Sequence, residues 1–175
     1  MMKEKINAFD YAGHICKAMS KGILLTTYAD GKVNTMTIGW GHIGIEWSRP
    51  VFVAYVRESR YTKEMLDRTG LFTVNIPMET INPKILGYCG TKSGRNVDKI
   101  ADLGLTLEEG ECVPVPGIKE LPLTLECKVI FKQYQQENIL PEDIYRRYYT
   151  ATAEFPDGDY HTAYYGEILN AYIIK

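Results

Sequence analysis

"GILLTTYADGKVNTMTIGW", residues 22–40, decides the fold. Two runs rich in aliphatic and β-branched residues flank Asp30-Gly31, and Asp-Gly between such runs is a strong signal for a β-hairpin with a two-residue turn. The second run then enters "GWGHIG", where Gly39, Gly41 and Gly44 surround Trp40 and His42. A strand loses stability at each glycine and has one where a ligand or another backbone comes close. Strand alternation sends Asn34, Met36, Ile38 and Trp40 one way and Thr35, Thr37 and Gly39 the other. That second face is small and polar. A flat heteroaromatic ring could lie against it and bond to backbone groups; a tight strand crossing with Trp40 in the core accounts for the same residues.

Working outward, Ile6, Phe9, Ala12, Ile15, Cys16 and Met19 recur at helical spacing and predict an N-terminal helix of about four turns within residues 1–21. "PVFVAYVR" is apolar on both faces, as a central strand is. Ser59 is placed to cap a short helix, "RYTKEMLDRTG", that closes at Gly70, and "LFTVNIP" follows as a strand. "INPKILGYCGTKSGRNVDKIADLGL" reads as two short helices around a polar loop. "LPLTLECKVIFKQYQ" alternates over Leu121–Phe131 and predicts a half-buried strand. "PEDIYRRYY" gives a helical turn or two, and Asp157-Gly158 introduces the final strand, "YHTAYYGEILNAYII". Six or seven strands without β-α alternation predict a mainly β (α+β) chain: an antiparallel barrel or sheet with peripheral short helices. Residues 1–175 read as a single domain, with the barrel and its inserted helices in 22–175.

Composition narrows the function. With 175 residues the chain can bury roughly 70% of its unfolded surface. Apolar residues at 45% and charged residues at 24% are ordinary globular values. A net charge of −2 gives no basic field for nucleic acid or an anionic membrane. No apolar run has the length of a membrane span, and the N-terminal lysines precede no apolar segment of the signal-peptide kind. The four cysteines are widely spaced, with no CxxC pair, which points to free thiols in a reducing cytoplasm. Thirteen tyrosines, apolar rings with polar tips, suit a ligand site or subunit contact.

Several chemistries lack their motifs. In "GYCGTKSGR", Thr91 separates Gly90 from Lys92, so the segment is no phosphate-binding P-loop. Gly39, Gly41 and Gly44 do not have dinucleotide-fold spacing and no helical run follows them. GxSxG is absent, and His14, His42 and His161 are too scattered to suggest a metal site. Two clusters stand out instead. In "VRESRYTKE", Arg57, Arg60, Ser59, Tyr61 and Thr62 meet a helix start, a donor set suited to a phosphate monoester. The same residues also read as an ordinary cap with arginines paired to Glu58 and Glu64, and spacing alone favours that. In "KSGRNVDK", Lys92, Arg95 and Lys99 surround Ser93-Gly94, with Asp98 as counter-charge; an exposed loop capping a helix is the other reading.

Taken in order, "NTMTIGWGHIGIEWSRPVFVAYVRESRYTKE", "FTVNIP", "CGTKSGRNVDK" and "HTAYYGEI" resemble the flavin reductase-like family, including flavoredoxin-like FMN-binding proteins, from about residue 20 to the C-terminus. The resemblance implies a split β-barrel, a homodimer with FMN near the interface, and a cytoplasmic oxidoreductase. It implies that Asn34, Thr35, Met36, Thr37, Ile38, Gly39 and Trp40 line the isoalloxazine. Ser59, Arg60, Tyr61 and Thr62 would hold ribityl and phosphate oxygens, and Ser93, Arg95 and Lys99 would close the phosphate side. His161, Tyr164 and Tyr165 stand in the last strand, from which Tyr164 is the expected cofactor contact. In such a protein NAD(P)H is a transient donor that passes a hydride to the flavin, which hands electrons on. No side-chain acid or base is required, so no catalytic residue and no metal ligand is assigned. The alternatives are a flavoredoxin-type electron-transfer protein reduced by a redox protein partner and a flavin-binding protein without turnover.

Overall fold

The computed structural model describes residues 2–136 and 139–175. The hairpin at its centre is β2 (Ile23–Ala29) and β3 (Lys32–Ile38), paired in register from Ile23↔Ile38 to Ala29↔Lys32. Asp30 and Gly31 both have positive φ, 51° and 75°, the twist that a two-residue hairpin turn needs. A second hairpin joins β4 (Gly41–Glu46) to β5 (Arg49–Arg57) through Trp47 and Ser48, with φ of 47° and 58°. No glycine or asparagine marks that turn, so the sequence gives no sign of it.

The remaining strands complete an antiparallel sheet. They are β1 (Lys3–Lys5), β6 (Leu71–Ile76), β9 (Leu123–Tyr134) and β10 (His161–Ile174), while β7 (Leu107–Glu108) and β8 (Gly117–Ile118) form a separate small ladder. The order is β3-β2-β6-β9-β10-β5-β4, with β1 on the far end of β10. β5, apolar on both faces, lies between β10 and β4. β3 and β4 are consecutive in the chain but do not pair, so the sheet curls without closing. This is a split barrel. Its interior is filled by Leu25, Ile38, Phe52, Phe72, Leu125 and Tyr164, all at most 3% exposed.

Short helices cover the outside. They are α1 (Ala12–Met19), α2 (Tyr61–Thr69), α3 (Pro83–Thr91), α4 (Lys99–Leu103) and α5 (Glu142–Tyr148). α3 and α4 cover the outer face of the β2–β3 hairpin, where Ile85 and Cys89 pack on Leu24.

The structure departs from the sequence reading in four places. The N-terminal segment is not one four-turn helix: residues 3–5 pair with β10, and residues 8–11 form a 3₁₀ turn before α1. Asn7 stops the longer helix by capping that turn, accepting from the Phe9 N–H at 3.1 Å. Met1, at the start of the expected segment, lies outside the described residues. Ser59 does not cap α2; its hydroxyl donates to Asp159 at 2.7 Å, and the N-cap position is taken by Arg60, whose side chain makes no capping bond. Asp98 is not a counter-charge for the nearby cations but caps α4, accepting from Ile100 and Ala101 N–H at 3.1 Å. β9 is buried on both faces over Leu123–Cys127, because the 108–118 segment covers its outer side. There the carboxylate of fully buried Glu126 accepts from the N–H groups of Glu111 and Cys112, at 2.6 and 2.7 Å.

The glycines of the opening stretch divide by role. A Cβ on Gly41 would come within 2.7 Å of the Val53 carbonyl and 2.9 Å of Met19 Sδ, whereas one on Gly44 would meet nothing within 4 Å. Gly41 is therefore the tight crossing, where β4 passes between β5 and α1. Gly41→Ala should lower the unfolding free energy by about 1–3 kcal/mol, the usual cost of overpacking. Gly44→Ala should stay within about 0.5 kcal/mol of the parent, as open sites do. Urea unfolding of the two variants checks both values.

Candidate functional site

The gap between β3 and β4 opens onto two adjoining cavities that share Met36 and Arg60. The smaller, about 170 Å³, is bounded by Met36–Trp40, Tyr55, Arg57, Arg60 and His161. The larger, about 390 Å³, lies between Asn34, the start of α2 (Ser59–Thr62), the loop Thr91–Arg95 and Lys99. The larger alone falls in the range of about 300–1,000 Å³ typical of small-ligand pockets.

The smaller cavity follows from β3 being an edge strand. β3 pairs with β2 on one side only, so its other side presents backbone groups that no strand uses. Trp40 stands at the rim, 40% exposed, its ring 4.9 Å from His161 and 5.0 Å from Tyr148. It is not a core residue. His161 is 7% exposed, and its Nδ1 shares a hydrogen bond of 2.9 Å with the Tyr149 hydroxyl. Burial, then the nearby Arg57 and Arg60 guanidinium groups, push its imidazole down to about 4, so it is neutral at pH 7.

The larger cavity is basic and its polar groups are prepositioned. Gly94 lies so close to Asn34 that a Cβ there would fall 2.1 Å from Oδ1, so only glycine lets the loop approach. Lys32 ties this loop to β3 by donating to the Gly94 carbonyl. Asn34 is buried; its Nδ2 donates to Thr62 Oγ1 at 2.8 Å, and its Oδ1 has no hydrogen-bond partner among the described residues. A buried acceptor left unpaired costs about 1–3 kcal/mol, which a ligand donor would recover. Arg60 is half-buried, donates to the Gly90 carbonyl at 3.2 Å, and makes no ion pair among the described residues. Arg95 differs: it donates to Glu64 and to the Ser59 carbonyl. Lys99 is 5% exposed and donates to the Thr35 and Cys89 carbonyls at 2.8 and 3.0 Å. Burial pushes its ammonium down to about 8, and burial of Cys89 pushes that thiol up to about 11. Among the described residues no group of three His, Cys, Asp or Glu could hold a metal ion. The arrangement can hold an anion with several oxygens at one end and a flat ring at the other.

Thirteen of the fifteen residues singled out in the sequence line these two cavities. Thr35 and Tyr164 do not. Thr35 faces outward beneath the helices, its hydroxyl bonded to Thr26 and the Leu25 carbonyl, and only its own carbonyl reaches towards the site, through Lys99. Thr37 shares that covered face, donating to the Leu86 carbonyl at 2.7 Å, so the small polar face is closed by α3 and the open space lies beyond the strand edge. Tyr164 is fully buried, its hydroxyl donating to Asp67 at 2.9 Å, and Tyr165 lies against Gln133 on the outer surface. The sequence did not mark Tyr55, Glu154 and Phe155, which also line the cavities, nor Asp159, which holds Ser59. Tyr55 is one strand-period before Arg57 and could have been found from that; the others sit in a segment with no periodicity.

The family described as "Flavin reductase like domain" matches residues 17–175. The chain belongs to this family. An uncharacterised protein of Archaeoglobus fulgidus is 32% identical over 139 residues, covering 79% of this chain and 64% of its own length, so the chain spans less than two thirds of that relative. Among solved structures, flavoredoxin of Desulfovibrio vulgaris is similar with a TM-score of 0.64 and 27% identity, over 88% of this chain and 69% of its own. Flavoredoxin from Methanosarcina acetivorans gives 0.63 and 28%, over 88% and 68%.

The buried imidazole has a measurable consequence. Because the His161 pKa falls on folding, the unfolded chain binds more protons between about pH 6.5 and 4, and stability must drop as pH falls through that window. Denaturant unfolding from pH 7 to 4 should show this loss, and His161→Gln should flatten the curve there.

Proposed function

We propose that this member of the flavin reductase-like family binds FMN across the two cavities and works as an NAD(P)H-dependent flavin oxidoreductase. Arg60 carries the reading: a half-buried guanidinium without a carboxylate partner among the described residues, at the start of α2 and lining the same cavity as Asn34, whose side-chain oxygen is unpaired. Such a group suits a phosphate, with Lys92 and Lys99 adding charge and the first N–H groups of α2 adding directional donors. Asn34 Oδ1 suits a hydroxyl of the ribityl chain. The β3 edge from Met36 to Gly39, with Trp40 and Tyr55, would flank the ring, and neutral His161 adds no positive charge beside it. Bound FMN supplies a redox centre that accepts a hydride and releases electrons. The chain's own part is to fix the phosphate, set the ring against the strand edge and leave one side open. No residue is assigned a proton-transfer role.

The similarity to two flavoredoxins, at 27% and 28% identity, favours a second reading: an FMN protein reduced by a redox protein partner. Consumption of NADH or NADPH only in the presence of FMN supports the first. Bound flavin bleached by a reduced redox protein but not by nicotinamide supports the second.

We also propose a homodimer in the cytoplasm. Trp47 and Phe131 are exposed with ring centroids 5.7 Å apart, and Phe131 lies 5.2 Å from Tyr165, an aromatic patch of the kind that contacts between subunits cover. All four cysteines are unpaired, as suits a reducing compartment.

Two measurements follow. Arg60→Ala should weaken FMN by about tenfold to a hundredfold, the worth of a charged hydrogen bond, and change riboflavin little. Equal losses for both ligands in fluorescence titrations would remove the phosphate role. Light scattering should give twice the chain mass for the parent and a smaller species for Trp47→Ala/Phe131→Ala.

A further inference from the structure

Residues 149–159, between α5 and β10, reach the larger cavity, where Glu154 and Phe155 line it together with Arg60, Lys92 and Arg95. One guanidinium pins both ends of this segment. Arg57 donates to the Tyr148 carbonyl at 3.1 Å and to the Asp159 carbonyl at 2.7 Å. Asp159 is fixed again from α2's side, its carboxylate accepting the Ser59 N–H at 3.0 Å and hydroxyl at 2.7 Å. Within the segment the Phe155 carbonyl accepts from Thr152 and Gly158 N–H groups, both at 3.0 Å, and the Phe155 N–H donates to the Thr152 hydroxyl at 3.1 Å. The tip that carries Glu154 and Phe155 is thus held from both sides.

We propose that this strap closes the phosphate end of the cavity and restricts it to a terminal phosphate monoester, so that FMN is admitted and the dinucleotide FAD is refused. The proposal rests on the flavin reading above. A monoester carries a charge of about −1.5 to −2 and three terminal oxygens at neutral pH, which suits the cations gathered here. A pyrophosphate must continue past the first phosphorus. Phe155 fills that path, and the Glu154 carboxylate, which forms no ion pair among the described residues, repels the second phosphate. Discrimination here comes from an obstructing ring and a like charge as much as from the attractive groups.

The test is fluorescence titration of the full chain with FMN, FAD and riboflavin, for the parent and for Glu154→Gly/Phe155→Gly. The parent should bind FMN at least about tenfold more tightly than FAD, and the variant should gain about tenfold for FAD while FMN stays within about threefold. Equal parent affinities for FMN and FAD would overturn the proposal, as would a folded variant whose FAD affinity is unchanged. Either result with FMN still bound leaves the flavin reading standing; a parent that binds no flavin removes both. The parent comparison requires no variant, so it decides even where the altered strap fails to fold.

Discussion

The site depends on a pairing that is not made. β3 and β4 follow one another in the chain, yet only two residues, Gly39 and Trp40, connect them, and the two strands diverge to opposite ends of the sheet. Gly41 makes the divergence possible, because a side chain there would strike the β5 backbone and Met19. An unpaired strand edge invites another strand, and natural proteins cover or blunt such edges. Here Lys99 occupies the Thr35 carbonyl, α3 takes the Thr37 hydroxyl, and the stretch from Met36 to Trp40 is left facing a cavity. A barrel that closed would have a filled interior and nowhere for a planar ligand.

Charge is then placed with economy. The guanidinium groups around the site do different work: Arg57 braces the strap and Arg95 is tied to Glu64, while Arg60 has only a carbonyl among the described residues. Lys99 sits deeper, where burial lowers its affinity for a proton. At about 8 its ammonium still keeps most of its charge at neutral pH, so the floor of the site is cationic despite its burial.

Much of this could be read from residues, and the failures have physical causes. The Asp30-Gly31 turn is local chemistry and so is legible; the Trp47-Ser48 turn adopts the same backbone with residues that pay steric strain for it, and no local rule marks it. The clusters around Arg60 and Lys99 were legible as compositions, but not their division of labour, since Asp159 and Asp98 take partners by tertiary placement. Tyr164 illustrates the limit. Its strand was recognisable, but which face turns inward depends on bulges in β10's pairing with β9, where the register shifts between Tyr165 and Gly166. Burial of Glu126 likewise depends on a distant loop folding over β9.

The two tryptophans of the chain flank β4, Trp40 just before it and Trp47 just after. One leans on a neutral imidazole and a tyrosine at the cavity rim; the other caps a hairpin on the outer face against Phe131. Trp40 stands where an occupant of the cavity would change its surroundings, whereas Trp47 belongs to the aromatic patch proposed for the subunit contact, so a single strand carries an indole at each of two candidate contact surfaces.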